Sequence, residues 1–385
     1  MNANAETDPV LLTGARLGVL IGEGVFARVY EGWLDSGERV AVKVLRSKEY
    51  AVERRFLREI QVSRALPKSR HVVGYRSHGR TADGRPWLAM EYVDGFTLGA
   101  AINPGEPVGE ERACRLMLQI CQSFGGLHRL GIAHRDIKPE NIMIAEGGRV
   151  VKLLDFGLVS DAQGLLRLFE QERILPGNEF ADDIDHGVLA GTPEYMAPEQ
   201  ISDAHVGDPA EHRLDTTGDV FSLGVLFYQL LSGHTPYPFV LVEGDESSHK
   251  AQLMAYFDHR LAATDRALPE IDGVKPALWS VLVKALRSDP KLRQGDSSAL
   301  YDDIARYFTS GEGIGDDVDF SSTLATDLKV VEHLLVEHAR AVQLQAPRRL
   351  PPPRPAPEQS GLKMALLGVG VAVSVWLLVL LAGLF

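Results

Sequence analysis

Apolar positions in the first third of the chain fall into short runs broken by glycine and turn residues. "LGVLIGEGVFARVYEGWLD" and "ERVAVKVLR" read as strands separated by a glycine loop and a Ser36-Gly37-Glu38 turn. In "EYAVERRFLREIQVSRAL", Val52, Phe56, Ile60 and Leu66 recur at helical intervals, and Pro67 marks the end of that helix. Strands resume in "VVGYRSHGRTADGRPWLAMEYV", around an Asp83-Gly84 turn. From about Thr97 the spacing becomes helical and stays so to about Ser310, most clearly over Cys114 to Leu130, Val220 to Leu231 and Leu278 to Leu286. The pattern predicts an α+β protein: a small β-rich lobe over 14–93 joined to a larger helical lobe over 97–310.

Beyond 310 the pattern changes three times. Residues 311–346 open with the Gly- and Asp-rich boundary "GEGIGDDVDFSST". They continue into "LATDLKVVEHLLVEHARAVQL", where Leu328, Val331, Leu335 and Val342 line one side of an expected helix. That helix is expected to pack on the domain, with pairing to a second copy, a homodimer, as the alternative. Residues 347–363, rich in Pro and Arg, read as a stiff, extended spacer. From Met364 to Phe385 the chain carries no charge. At 1.5 Å per residue this stretch spans about 33 Å against about 30 Å of bilayer hydrocarbon. It is expected to be a transmembrane tail anchor, with Arg348, Arg349, Arg354 and Lys363 holding the preceding domain on the cytoplasmic side.

Composition narrows the picture further. Hydrophobic residues make up 45% of 385, enough to build a sizeable core. A net charge of −12 excludes the basic surplus expected of a nucleic-acid binder. The only two cysteines, Cys114 and Cys121, share a helix face but stand about 10.5 Å apart along its axis, so they are expected to be reduced core residues. The N-terminus lacks the basic start and apolar run of a secretory signal.

Four stretches carry candidate chemistry. "GEGVFARVY" leaves Gly22 and Gly24 bare between two strands, where backbone N–H groups can approach a phosphate. Alone this is a weak sign, and Ala27 stands where a third glycine would complete a longer glycine motif. Lys43 in "VAVKVL" sits among apolar neighbours and needs a negative partner, for which Glu59 is suitable. In "HRDIKPENIMI", Asp136 suits a base for a hydroxyl, Lys138 suits neutralising a transferring phosphate, and Asn141 offers an oxygen to Mg²⁺. "LLDFGL" delivers Asp155 beside a glycine as a second cation ligand.

In this order the motifs resemble the eukaryotic-type serine/threonine protein kinases, and most of all their bacterial branch. The resemblance runs from about residue 14 to about 310 and adds "GTPEYMAPEQ" (Gly191 to Gln200), "DVFSLG" (Asp219 to Gly224) and "DPKLR" ending at Arg293. It implies the two-lobed kinase fold, ATP with Mg²⁺ (or Mn²⁺) as cofactors, and protein serine or threonine hydroxyls as acceptors. It also implies that Asp136 and Lys138 are catalytic, and that Asn141 and Asp155 hold the metal. Ile21, Gly22, Gly24, Val29, Ala41, Lys43, Glu59 and the backbone of Glu91 and Val93 would bind the nucleotide. Glu199 should pair with Arg293, and Thr192 should touch Asp136 and Lys138. The rival reading is a pseudokinase scaffold; it usually lacks one of Lys43, Glu59, Asp136, Asn141 or Asp155, all present here.

One departure stands out. From Asp161 to Gly191 there is no Ser, Thr or Tyr to carry an activating phosphate. The expectation is that a carboxylate from Asp182, Asp183 or Asp185 meets Arg135 instead. The alternative is a solvated acidic loop ordered by something else.

Overall fold

The computed structural model describes residues 12–66, 68–129, 131–161, 192–206, 216–239, 246–264 and 268–309. Contacts divide the chain into two units, Met1–Val336 and Glu337–Phe385, and every described residue belongs to the first.

The small lobe is an antiparallel sheet of five strands in the order β1-β2-β3-β5-β4. Its strands are β1 (Ala15–Glu23), β2 (Ala27–Leu34), β3 (Arg39–Leu45), β4 (Tyr75–Arg80) and β5 (Pro86–Glu91), with helix α1 (Tyr50–Ala65) between β3 and β4. Alternation along β3 decides what each face does. Val40, Val42 and Val44 are buried with Ala15, Trp87 and Ala89 on one face. Leu45 joins Ala27 and Leu88 on the other, against Phe56 and Ile60 of α1. Lys43 shares Leu45's face, which aims its long side chain at α1. The helix stops where Pro67 pushes Leu66 into an extended conformation, φ −64° and ψ 136°.

The large lobe holds α2 (Leu98–Ala101), α3 (Glu110–Arg129), α4 (Pro198–Val206), α5 (Thr216–Ser232), α6 (Glu246–Thr264), α7 (Pro276–Ala285) and α8 (Ser297–Thr309). Helix α5 is buried almost all round, from Gly218 to Tyr228, and α3 packs against it and against α8. Cys114 and Cys121 are free thiols inside this core. The expected Glu199–Arg293 ion pair is formed, with Arg293 Nη1 and Nη2 donating to Glu199 Oε1 and Oε2 at 2.6 and 2.8 Å. Its remaining donors reach the carbonyls of Arg287, Thr217 and Ser288, so the buried charge is fully used.

The reading of residues past Thr97 as continuously helical is corrected here. Five short strands belong to this lobe: β6 (Gly95–Thr97), β7 (Ile132–Ala133), β8 (Ile142–Ala145), β9 (Val150–Leu153) and β10 (Ser160–Asp161). They form one sheet in the order β6-β8-β9 and one β7–β10 pair. Strands of two to four residues are too short to show a period of two, so their apolar residues blend into the neighbouring helical spacing.

Among the described residues no helix is long and apolar enough to cross a membrane. The apolar stretch 364–385, the spacer 347–363, the segment 311–346 and the acidic loop with Asp182, Asp183 and Asp185 lie outside the described residues.

Candidate active site

The glycine loop joins β1 to β2. Gly22 stands opposite Val29 in the ladder, and the Gly24 N–H donates to the Ala27 carbonyl at 2.9 Å. A Cβ added at Gly22 would come no nearer than 3.7 Å to Val29, and one at Gly24 no nearer than 3.6 Å to Ala27 O. Packing within the chain therefore does not demand either glycine, and the bare backbone matters to something approaching from outside. Ile21 on this strand is exposed, while Val29 and Ala41 are half-buried on the two strands behind it.

Lys43 bonds three oxygens at once. Its Nζ lies 2.7 and 2.8 Å from Glu59 Oε1 and Oε2, and 3.0 Å from Asp155 Oδ2. The strand, the helix and the segment after β9 thus meet at one ammonium. One positive charge cannot neutralise two carboxylates, and the pair divides accordingly. Burial, followed by the charge of Asp155, pushes the Glu59 carboxyl up to about 7 despite the pull of Lys43. Burial also acts against the Asp155 carboxylate, but Lys43 and the Gly157 N–H outweigh it and bring its pKa down to about 2. Asp155 keeps 39% of its side-chain surface open, which leaves room for a further cation on the same carboxylate. For Lys43, burial alone would favour the neutral amine; the carboxylates of Asp155 and Glu59 override it and keep the ammonium charged.

The loop after β7 carries the second cluster. Asp136 Oδ2 accepts from Asn141 Nδ2 at 2.9 Å and lies 3.0 Å from Lys138 Nζ. Asn141 Nδ2 also donates to the Asp136 carbonyl at 2.8 Å, so its amide oxygen faces away from these two acceptors and can be offered to a ligand. Asp136 is engaged by Lys138 and Asn141, and the Thr192 carbonyl accepts from Tyr195 N–H to close the turn ahead of α4.

Two histidines and Asp219 hold the loop in place. Asp219, on α5 and fully buried, accepts from the backbone N–H groups of His134 (2.6 Å) and Arg135 (2.8 Å) and from His128 Nε2 (3.0 Å). Because Ser297 N–H donates to His128 Nδ1, that ring carries its proton on Nε2. His134 Nε2 donates to the Leu154 carbonyl at 2.9 Å, and Leu154 N–H donates to the Asn141 carbonyl at 2.9 Å. The peptide leading into Asp155 is thereby tied to the loop that carries Asp136. Arg135 and Asp155 both adopt left-handed backbone angles, φ 66° and 59°, which non-glycine residues adopt only when their surroundings hold them there.

At the edge between the lobes, Glu91 N–H donates to the Gly74 carbonyl at 2.8 Å, which leaves the Glu91 carbonyl as the group it can offer a ligand. Its carboxylate reaches Lys152 of β9 at 2.9 Å and accepts from Gly74 N–H at 3.2 Å. Val93 follows two residues on, half-buried. Asp219, His128, Lys152 and Gln200 are contributors that sequence reading did not assign. The available signal was a polar residue inside an otherwise apolar run, as in "DVFSLGVLF" and "VVKLL".

Comparison with known proteins agrees with this arrangement. Residues 16–303 match the family described as protein kinase domain, and the chain belongs to that family. The serine/threonine-protein kinase PknL of Mycobacterium tuberculosis is 32% identical over 289 residues, covering 74% of this chain and 63% of that protein. Serine/threonine-protein kinase pkn2 of Myxococcus xanthus is 32% identical over 308 residues, covering 77% and 33% respectively. A probable serine/threonine-protein kinase PknB of Bifidobacterium longum is 32% identical over 320 residues, covering 79% and 41%. The chain thus spans less than two thirds of the length of these relatives.

Proposed function

We propose that this chain is an ATP-dependent serine/threonine protein kinase, tethered to a membrane by residues 364–385 and acting in signalling. The observation that carries the reading is the joining of two clusters through Leu154: Lys43–Glu59–Asp155 on one side, Asp136–Lys138–Asn141 on the other. Its relatives, named as serine/threonine kinases, support the same class of acceptor.

The residues present fit ATP with Mg²⁺. Among the described residues no group of three or more His, Cys, Asp or Glu could hold a metal alone. One open carboxylate and one amide oxygen, completed by phosphate oxygens, is the pattern of a Mg²⁺ that arrives with a nucleotide. Asp155 and Asn141 would hold the ion, whose contribution is to neutralise phosphate charge. Lys43 grips phosphate oxygens while Glu59 fixes its direction, and the N–H groups around Gly22 and Gly24 cover the same phosphates. The Glu91 carbonyl and the Val93 backbone hold the adenine edge, with Ile21, Val29 and Ala41 against its faces. Asp136 orients the acceptor hydroxyl and takes its proton, and Lys138 stabilises the transferring group.

The test is direct. The full chain and its Asp136→Asn variant are incubated with Mg²⁺, labelled ATP and a Ser/Thr-rich protein acceptor. Transfer by the parent, lost by roughly a thousandfold in the variant with ATP still bound, is the expected outcome. Equal labelling by both would defeat the assignment of Asp136, and ATP binding without transfer by the parent would leave a scaffold.

A further inference from the structure

Gln200 is the third residue of α4 and only 8% exposed. Its Oε1 accepts from Ala197 N–H at 2.9 Å, and its Nε2 donates to the Arg135 carbonyl at 3.1 Å. The two backbone partners settle the amide's orientation, because an N–H can only donate and a carbonyl can only accept. The first bond is ordinary helix capping: a side chain at this position reaching back to the residue before the helix, which Glu does as well as Gln. Capping does not explain the second bond. A glutamate would cap Ala197 equally well and would set a carboxylate oxygen against the Arg135 carbonyl.

The Arg135 carbonyl belongs to the same planar peptide as Asp136 N–H. That N–H points to His134 Nδ1 at 3.4 Å, a long contact. On the other side of Arg135, its own N–H is fixed by Asp219. Gln200 therefore supplies the shorter bond on the peptide that sets the direction of Asp136, at a residue whose φ of 66° needs restraint. Its other end sits on the "GTPEYMAPEQ" segment. Ser222 Oγ and Arg260 Nη2 fix the Tyr195 and Met196 carbonyls of that segment, and neither bond reaches the Asp136 loop.

We infer that Gln200 is a positioning residue: it ties the peptide before Asp136 to the start of α4, so that the direction of Asp136 is fixed by a buried helix as well as by its own loop. This rests on the kinase reading above for its consequence, while the restraint itself can be measured without turnover.

The experiment compares the full chain with Gln200→Glu and Gln200→Met. Hydrogen exchange is followed by mass spectrometry on peptides covering residues 133–142 and, as a reference, on α7. Steady-state transfer to a serine peptide is measured alongside. Glu keeps the cap and replaces the donor to Arg135 with an acceptor, so its effect is directed at that peptide; Met removes both bonds without adding charge. Gln200→Glu is expected to melt modestly below the parent, because its carboxylate meets the Arg135 carbonyl. It should speed exchange over 133–142 about tenfold and lower kcat about tenfold, leaving the KM for ATP and the exchange of α7 unchanged. Parent-like exchange and kcat in Gln200→Glu would overturn the inference with the kinase reading intact. A fall in melting temperature with faster exchange at both sites would also overturn it, assigning Gln200 to general bracing. Faster exchange confined to 133–142 in a chain that transfers no phosphate would support the restraint and defeat the kinase reading instead.

Discussion

Lys43 stands between two carboxylates with a single charge, and the more open of the two, Asp155, is the one a cation would share. Glu59→Gln removes a charge while keeping the shape of the pair. Lys43 then turns its whole attraction onto Asp155, which has to serve both the lysine and the metal. Two effects are expected: kcat/KM for ATP falls about tenfold, and the Mg²⁺ concentration needed for half-maximal rate rises. Titrating Mg²⁺ at saturating ATP separates these, since a variant that merely lost nucleotide contacts would keep the parent's metal dependence. Glu59 also leaves a mark on stability. Its carboxyl titrates at about 7 in the folded chain against 4.5 in its absence, so the folded state holds the proton more tightly. Through this group stability is fully present below about 4.5 and is lost as pH rises through about 7, the reverse of an acid paired with a cation of its own.

Among the elements, α5 does more than fill the core. Asp219 near its start uses two oxygens for three donors, two of them backbone N–H groups of the loop that carries Asp136. In Asp219→Asn the new amide must turn its NH₂ toward an N–H whichever way it is placed. That variant should lose roughly 3 kcal/mol, read as a lower urea midpoint at pH 7. Burial acts against the Asp219 carboxylate, but the bonds from His128 and the neighbouring histidines hold its pKa below the ordinary 3.8. Its stabilisation is therefore present above pH 3.8 and is lost as pH falls through the lower folded value, so the gap between parent and variant should close only in acid. The loop between β10 and Thr192 allows a second prediction at this scale. With no hydroxyl side chain from Asp161 to Gly191, phosphatase treatment of the full chain should leave its transfer rate unchanged. A rate abolished by dephosphorylation, with no essential phosphate mapped elsewhere, would contradict the acidic substitute for Arg135's partner. Such elements also show what the sequence made legible. Lys43, Glu59, Asp136, Asn141 and Asp155 could be picked out because their chemistry follows from residue type and order. Asp219 and Lys152 stood out only as polar residues beside apolar ones, and the roles of both and of Gln200 stayed hidden, because their partners include backbone atoms or residues of distant strands. Likewise, α3 and α5 were visible through many turns of apolar spacing, whereas β7 and β10, with two residues each, had no length over which a period could appear.

For the whole molecule, charge and the apolar tail pull in opposite directions. With a net charge of −12 the chain as a whole is repelled by an anionic lipid surface, which leaves only the basic spacer to adsorb by charge. In the tethered reading proposed above, attachment comes from burial of the uncharged stretch Met364–Phe385, with the arginines of the preceding spacer setting its direction. These two sources respond differently to salt, because screening weakens charge attraction and leaves hydrophobic insertion in place. Full-length chain mixed with vesicles containing anionic lipid should stay in the membrane pellet through a high-salt wash and leave it only in detergent. Val373→Arg, in the middle of the stretch, adds about 3 kcal/mol to the cost of insertion and should move much of the chain to the supernatant. Transfer to a soluble peptide should be unchanged in that variant, because residue 373 lies far along the chain from the matched domain at 16–303. Release of the parent by salt alone would instead assign the attachment to the basic spacer, and the tail would then need another role.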